Sequence, residues 1–158
     1  MRKSLLVVSL VVSAVVLFSS SGALAADNWL GTWKLNVEKS KYSPGPAPKS
    51  LTLKYEPSQS RIKLTSDRVS ADGKTMHGTY TSKFDGKDVP WEGNPDADMA
   101  APKKIDDNTF ENIWKKGGKM TFTVKAVVSK DGKTFTVSQT GKNAKGETVN
   151  ISAVYEKQ

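Results

Sequence analysis

The sequence predicts an all-β protein, an antiparallel up-and-down β-barrel of about 8–10 strands that follows an N-terminal signal peptide. Three observations carry that expectation. Short runs alternate apolar and polar residues, and no run beyond the N-terminal segment keeps a helical period. Many runs are joined by tight glycine turns, at Asp72-Gly73, Asp85-Gly86, Gly117-Gly118 and Asp131-Gly132, which are strong hairpin signals. The runs also follow one another without long crossovers, and a barrel removes the unpaired edges that an open sheet would leave.

The N-terminal segment stands apart from the fold. Arg2 and Lys3 precede an apolar stretch, Leu5 to Phe18, broken only by Ser9 and Ser13, and the segment ends in Ala23-Leu24-Ala25. This is the pattern of a secretory signal peptide over residues 1–25, too short in its apolar core to span a bilayer comfortably. Residues 26–158 then form one domain, expected in the periplasm or outside the cell, with no stable membrane anchor after cleavage. The chain has no cysteine, which excludes a lipoprotein anchor, thiol chemistry, disulfides and cysteine-rich zinc sites. A domain of this length can bury a core without such staples.

Charge narrows the partners. The chain has 24 Lys+Arg and 16 Asp+Glu, and removing Arg2 and Lys3 leaves 22 against 16, a net charge of +6. Only Arg61 and Arg68 remain as arginines. Lysine spread over outward faces and hairpin tips serves solubility and blocks edge pairing, whereas nucleic-acid readers favour clustered arginine. No nucleic acid is expected as a partner, and a monomer is.

The first strand is expected over Trp29 to Val37, with Trp29, Gly31, Trp33, Leu35 and Val37 on the buried face. Pro44, Pro46 and Pro48 forbid a helix and favour an extended, semi-rigid crossing from Glu38 to Pro48. Ser50 to Glu56 places Leu51, Leu53 and Tyr55 together, and Arg61 to Val69 carries Ile62 and Leu64. Lys74 to Phe84 puts Met76, Gly78, Tyr80, Ser82 and Phe84 on one side. Lys87 to Glu92 is interrupted by Pro90 and so belongs at an edge or a bulge, and a brief extended piece follows around Met99 to Ile105. The last third is a meander of four strands. Phe110, Asn112 and Trp114 point inward from the first, and Met120, Phe122, Val124, Ala126 and Val128 from the second. Phe135, Val137 and Gln139 do so from the third, and Val149, Ile151, Ala153 and Tyr155 from the fourth.

Leu30-Gly31-Thr32-Trp33-Lys34-Leu35 resembles the G-x-W opening of the calycins, the superfamily of lipocalins and fatty-acid-binding proteins. The stretch from Asn108 to Val154-Tyr155-Glu156-Lys157 is similar to the closing strands of the fatty-acid-binding branch. The chain as a whole resembles small exported lipocalin-like proteins of bacteria. The resemblance implies a barrel that binds a small hydrophobic ligand. Two departures qualify it. The helix pair that lids the fatty-acid-binding proteins is replaced by the proline crossing, and the arginine they place two residues before a tyrosine in the last strand is Ala153 before Tyr155. A buried carboxylate without a cationic partner is strongly disfavoured, so the missing arginine argues against a fatty-acid anion.

The inward faces combine aromatics with a few polar positions, Ser82, Asn112 and Gln139. A mostly apolar cavity with a few oriented polar groups is the usual form of a small-ligand pocket. The expected ligand contacts are Tyr55, Tyr80, Asn112, Trp114, Gln139 and Tyr155. The same side chains could instead fill the barrel completely, which leaves two interiors open. The second interior suits an inhibitor-like or envelope-associated protein acting through loops, with Pro44 to Pro48 and Pro90-Trp91 as the candidates.

No catalytic group is expected. His77 is the sole histidine, lies opposite Met76 and Tyr80 and so faces solvent, and has no second histidine or cysteine to share a metal. Asp96 and Asp98 run into Met99-Ala100-Ala101 without the further oxygen ligands that calcium needs. No nucleophile elbow or phosphate-binding loop is present, and the Asn150-Ile151-Ser152 sequon falls inside a strand. The expectation is a non-enzymatic protein with no metal and no cofactor.

Overall fold

A computed structural model describes residues 27–158, and the signal peptide expected over residues 1–25 lies outside them. Ten strands form one antiparallel sheet: β1 Gly31–Ser43, β2 Ser50–Ser58, β3 Arg61–Val69, β4 Thr75–Ser82 and β5 Val89–Pro90, then β6 Met99–Lys104, β7 Thr109–Lys116, β8 Lys119–Val128, β9 Thr134–Lys142 and β10 Thr148–Lys157. Their order across the sheet is β4-β3-β2-β1-β10-β9-β8-β7-β6-β5. This is the up-and-down barrel that the alternating runs predict. β1 pairs with β10, with Leu35 opposite Tyr155.

The segment from Phe84 to Gly93 straps the two sheet ends together. At its lower end Lys104 N donates to Phe84 O and Gly86 N to Pro102 O, each at 2.9 Å. At its upper end β5 pairs with β6, and Thr79 and Glu92 exchange two backbone hydrogen bonds of 3.0 Å. Pro102 sits on this covered edge of β6, where a strand residue without an N–H is tolerated. Gly93 makes the closure possible: with φ near +74°, it lies so close to β4 that an added Cβ would fall 1.9 Å from the His77 carbonyl oxygen.

An aromatic cluster seals one end of the barrel. Trp29 and Trp33 are fully buried, and the Trp33 Nε1–H donates to the Trp29 carbonyl at 2.7 Å. The Trp33 ring packs 5.1 Å from Phe135, and Trp29 packs 5.3 Å from Phe110. Such tilted and edge-on pairs are each worth about 0.5–1.5 kcal/mol beyond the area they bury. Lysines roof the cluster from outside: Lys157 Nζ lies 5.1 Å from the Trp33 ring centre and Lys104 Nζ 5.8 Å from that of Trp29. Lys104 also bridges Asp27 at 2.6 Å and Asp107 at 2.7 Å, tying the segment that leads into β1 to the β6–β7 turn. β1, β3, β5, β7 and β9 all run from this floor toward the other end.

Several expectations need correction. β1 begins at Gly31 and continues to Ser43, so the proline crossing is confined to 44–48 and Trp29 lies in the turn before the strand. Val37 is exposed rather than inward, because Asn36 pairs with Val154 but Lys41 with Ser152, and the residues between bulge outward. Ser40 pins that bulge, donating to Asn36 O at 2.7 Å and accepting from Val154 N at 2.9 Å. Met120 is 64% exposed for a similar reason: Trp114 pairs with Phe122 but Lys115 with Met120, and the extra residue Thr121 reverses the alternation. Trp91 is not on an exposed loop. It is buried, 5.1 Å from Tyr80 and 4.7 Å from Trp114.

Candidate ligand-binding cavity

Above the aromatic floor the barrel is not filled. A cavity of about 260 Å³ occupies its centre, somewhat below the roughly 300–1,000 Å³ of common small-ligand pockets. The reason lies in residue size. On the meander wall the inward positions include Val124, Ala126, Val137 and Ala153, which are too short to meet the opposite wall. At the open end the cavity is bordered by Pro44, Pro46 and Pro48 on one side and by Asn94 to Asp96 on another. Three prolines with fixed φ angles make a stiff rim where a flexible loop would have to be ordered on binding.

All six sequence-predicted contacts, Tyr55, Tyr80, Asn112, Trp114, Gln139 and Tyr155, line this one cavity. Asn112 is buried and fixed: its Oδ1 accepts from Ala101 N at 3.0 Å, and its Nδ2 points at the Tyr80 hydroxyl at 3.5 Å, the long limit of a hydrogen bond. Burial raises the Tyr80 phenol above its ordinary value, and burial raises Tyr55 and Tyr155 well above it. All three therefore remain neutral hydroxyls across the physiological range, able to donate or accept. Trp114 packs edge-on to Trp91 and lies 5.5 Å from Phe122, while its indole N–H has no partner among the described residues. Gln139, opposite Val124 on β8, is half-buried. Ser82 serves the scaffold, its Oγ accepting from Phe84 N at 3.0 Å.

Arg68, Tyr42 and the prolines also line the cavity, beyond the contacts expected from the sequence. The signal for Arg68 was present. Extending the inward positions Ile62 and Leu64 by the period of two reaches Ser66 and Arg68, and both line the cavity.

The remaining candidates lie away from the cavity or at its rim. His77 faces solvent, with Nδ1 2.6 Å from Asp67 Oδ1 on the neighbouring strand. Asp98 Oδ2 accepts from Gly117 N at 2.8 Å, and Asp96 N donates to Asn94 Oδ1 at 2.9 Å, so both aspartates organise the loop beside the mouth. Among the described residues no group of three or more His, Cys, Asp or Glu side chains is placed to hold a metal ion.

No family model and no curated protein matches the sequence. Solved structures do. The chain is similar to zebrafish ileal bile-acid-binding protein, crystallised with cholic acid, at a TM-score of 0.52 and 12% identity, over 83% of this chain and 99% of that one. It also matches a redesigned β-barrel, mFAP1, bound to DFHBI, at a TM-score of 0.47 and 12% identity, over 84% of this chain and 98% of that one. The fold is calycin-like.

Proposed function

We propose that this chain is an exported lipocalin-like protein that binds a small hydrophobic or amphipathic molecule inside its barrel and catalyses no reaction. The observation that carries this reading is the cavity itself, an apolar space with a few buried, oriented polar groups and a stiff mouth. Its walls offer neutral phenols, an amide and indole rings, which suit retention of a ligand rather than chemistry on it. Export rests on the signal-peptide pattern over residues 1–25, and we take the exported barrel to act as a monomer. A barrel acting only through its loops would be expected to have a filled interior, and the empty volume favours the binding reading over that alternative.

Native mass spectrometry of the protein purified from its own host tests the proposal. A persistent mass increment that disappears on denaturation, accompanied by a released small molecule, is the expected result. A clean apo mass together with no uptake of alkyl alcohols in vitro would refute it. Mass spectrometry of the intact N-terminus in the same sample reads the cleavage site after Ala25.

A further inference from the structure

The inner face of β3 ends in a charge that no carboxylate among the described residues balances. Arg68 stands on the cavity wall opposite Leu51 and Met76, both apolar and both also on that wall. It forms no ion pair with any carboxylate among the described residues, and its Nε is buried without a hydrogen-bond partner. Among the described residues the sole acid on the cavity wall is Asp96 in the loop at the mouth, and it makes no ion pair with Arg68. A partly desolvated guanidinium of this kind is disfavoured unless an anion meets it, and its planar fork of N–H donors matches an oxyanion.

Two phenols converge on the same place. Tyr42, Tyr155 and Arg68 line the same cavity, and although burial raises both hydroxyls, the Arg68 guanidinium pulls each the other way. Tyr42 arrives from the far end of β1, beyond the bulge, and Tyr155 from β10. The cationic group that the calycin resemblance would place at position 153 is absent there, since Ala153 fills that position, and the charge comes from a different strand.

We infer that Arg68, assisted by the Tyr42 and Tyr155 hydroxyls, is an oxyanion subsite of the cavity, and that the ligand is a compact amphiphile bearing one acidic headgroup. The inference rests on the carrier reading above and names its ligand class. Arg68 lies just before the β3–β4 turn, on the mouth side of the floor formed by Tyr55 and Phe110. The headgroup therefore sits toward the prolines and the apolar body points down to those rings.

Titration calorimetry with sodium decanoate and decan-1-ol, at a pH of about 8 where the acid is ionised, tests this on wild type, Arg68→Met and Arg68→Lys. Wild type should bind decanoate more tightly than the alcohol. Arg68→Met should weaken decanoate by roughly ten- to hundredfold, the worth of a charge-assisted hydrogen bond, and leave the alcohol within about twofold. Arg68→Lys should recover part of the loss. An equal loss for both ligands in Arg68→Met, or a wild type with no preference for the anion, overturns the subsite while the carrier reading survives. If neither probe enters the wild-type barrel, the subsite is overturned, and with a clean apo mass as well the carrier reading falls with it. A urea midpoint checks that each variant folds. Should Arg68→Met not fold, Arg68→Gln keeps the polar stem without the charge and reads the same difference.

Discussion

Closure of the barrel depends on the contact between Gly93 and the backbone of β4, and two alanine substitutions isolate that dependence. Gly93 and Gly146 have nearly the same φ, +74° and +79°. A side chain at either position incurs the cost of the left-handed region, about 1–2 kcal/mol. They differ only in their neighbours. Nothing lies within 4 Å of a Cβ at Gly146, whereas a Cβ at Gly93 would be 1.9 Å from the His77 carbonyl oxygen and 3.2 Å from Gly78 Cα. Neither contact is a flexible side chain, so relief requires the strap to retreat by more than 1 Å from β4. The two Thr79–Glu92 hydrogen bonds next to it cannot survive such a shift, and they contribute about 1 kcal/mol each. Gly93→Ala should therefore lose about 3–4 kcal/mol and Gly146→Ala about 1–2 kcal/mol, read by urea denaturation followed through tryptophan fluorescence. Amide exchange at Thr79 and Glu92 should accelerate in Gly93→Ala alone. Equal losses in the two variants, within about 0.5 kcal/mol, would refute the account of the seam.

Two further predictions concern the interior. Trp33→Ala should cost about 3–5 kcal/mol, because it removes a fully buried ring and leaves the Trp29 carbonyl without its donor, and unchanged stability in urea would contradict the sealed floor. Alkaline pH should unfold the barrel through its tyrosines. Tyr55, Tyr80 and Tyr155 have folded-state values raised above the unfolded one, so their contribution is intact below about pH 10 and lost as pH rises toward the folded values. Each costs up to about 1.4 kcal/mol per pH unit in that window. Phenolate absorbance titrating in step with unfolding is the expected record, and ionisation of these tyrosines near their ordinary value in the folded protein would refute it.

The architecture was legible because it is written in local patterns. Alternation places Leu53, Tyr80, Phe110, Phe135 and Tyr155 inside, glycine turns join the strands, and the absence of crossovers forces neighbours in sequence to be neighbours in space. The alternation also identifies Asn112 and Gln139 as polar groups on an inner face. Where the pattern misleads, at Val37 and Met120, a bulge has inserted residues that the partner strand does not match. A bulge leaves little trace in a single chain's composition, because it is a property of the pair.

The tertiary structure alone decided three things. It left the barrel open, because a cavity depends on whether opposite walls meet, and Ala126 or Val137 shows its shortfall only against the side chains across from it. It buried Trp91, which reads as a loop residue until Tyr80 and Trp114 are set against it. It also surrounded the inward Arg68 with groups that do not neutralise it. Sequence determines which face of a strand a side chain occupies. Only the closed barrel determines what that side chain meets, because packing and electrostatics are set by distances between strands far apart along the chain.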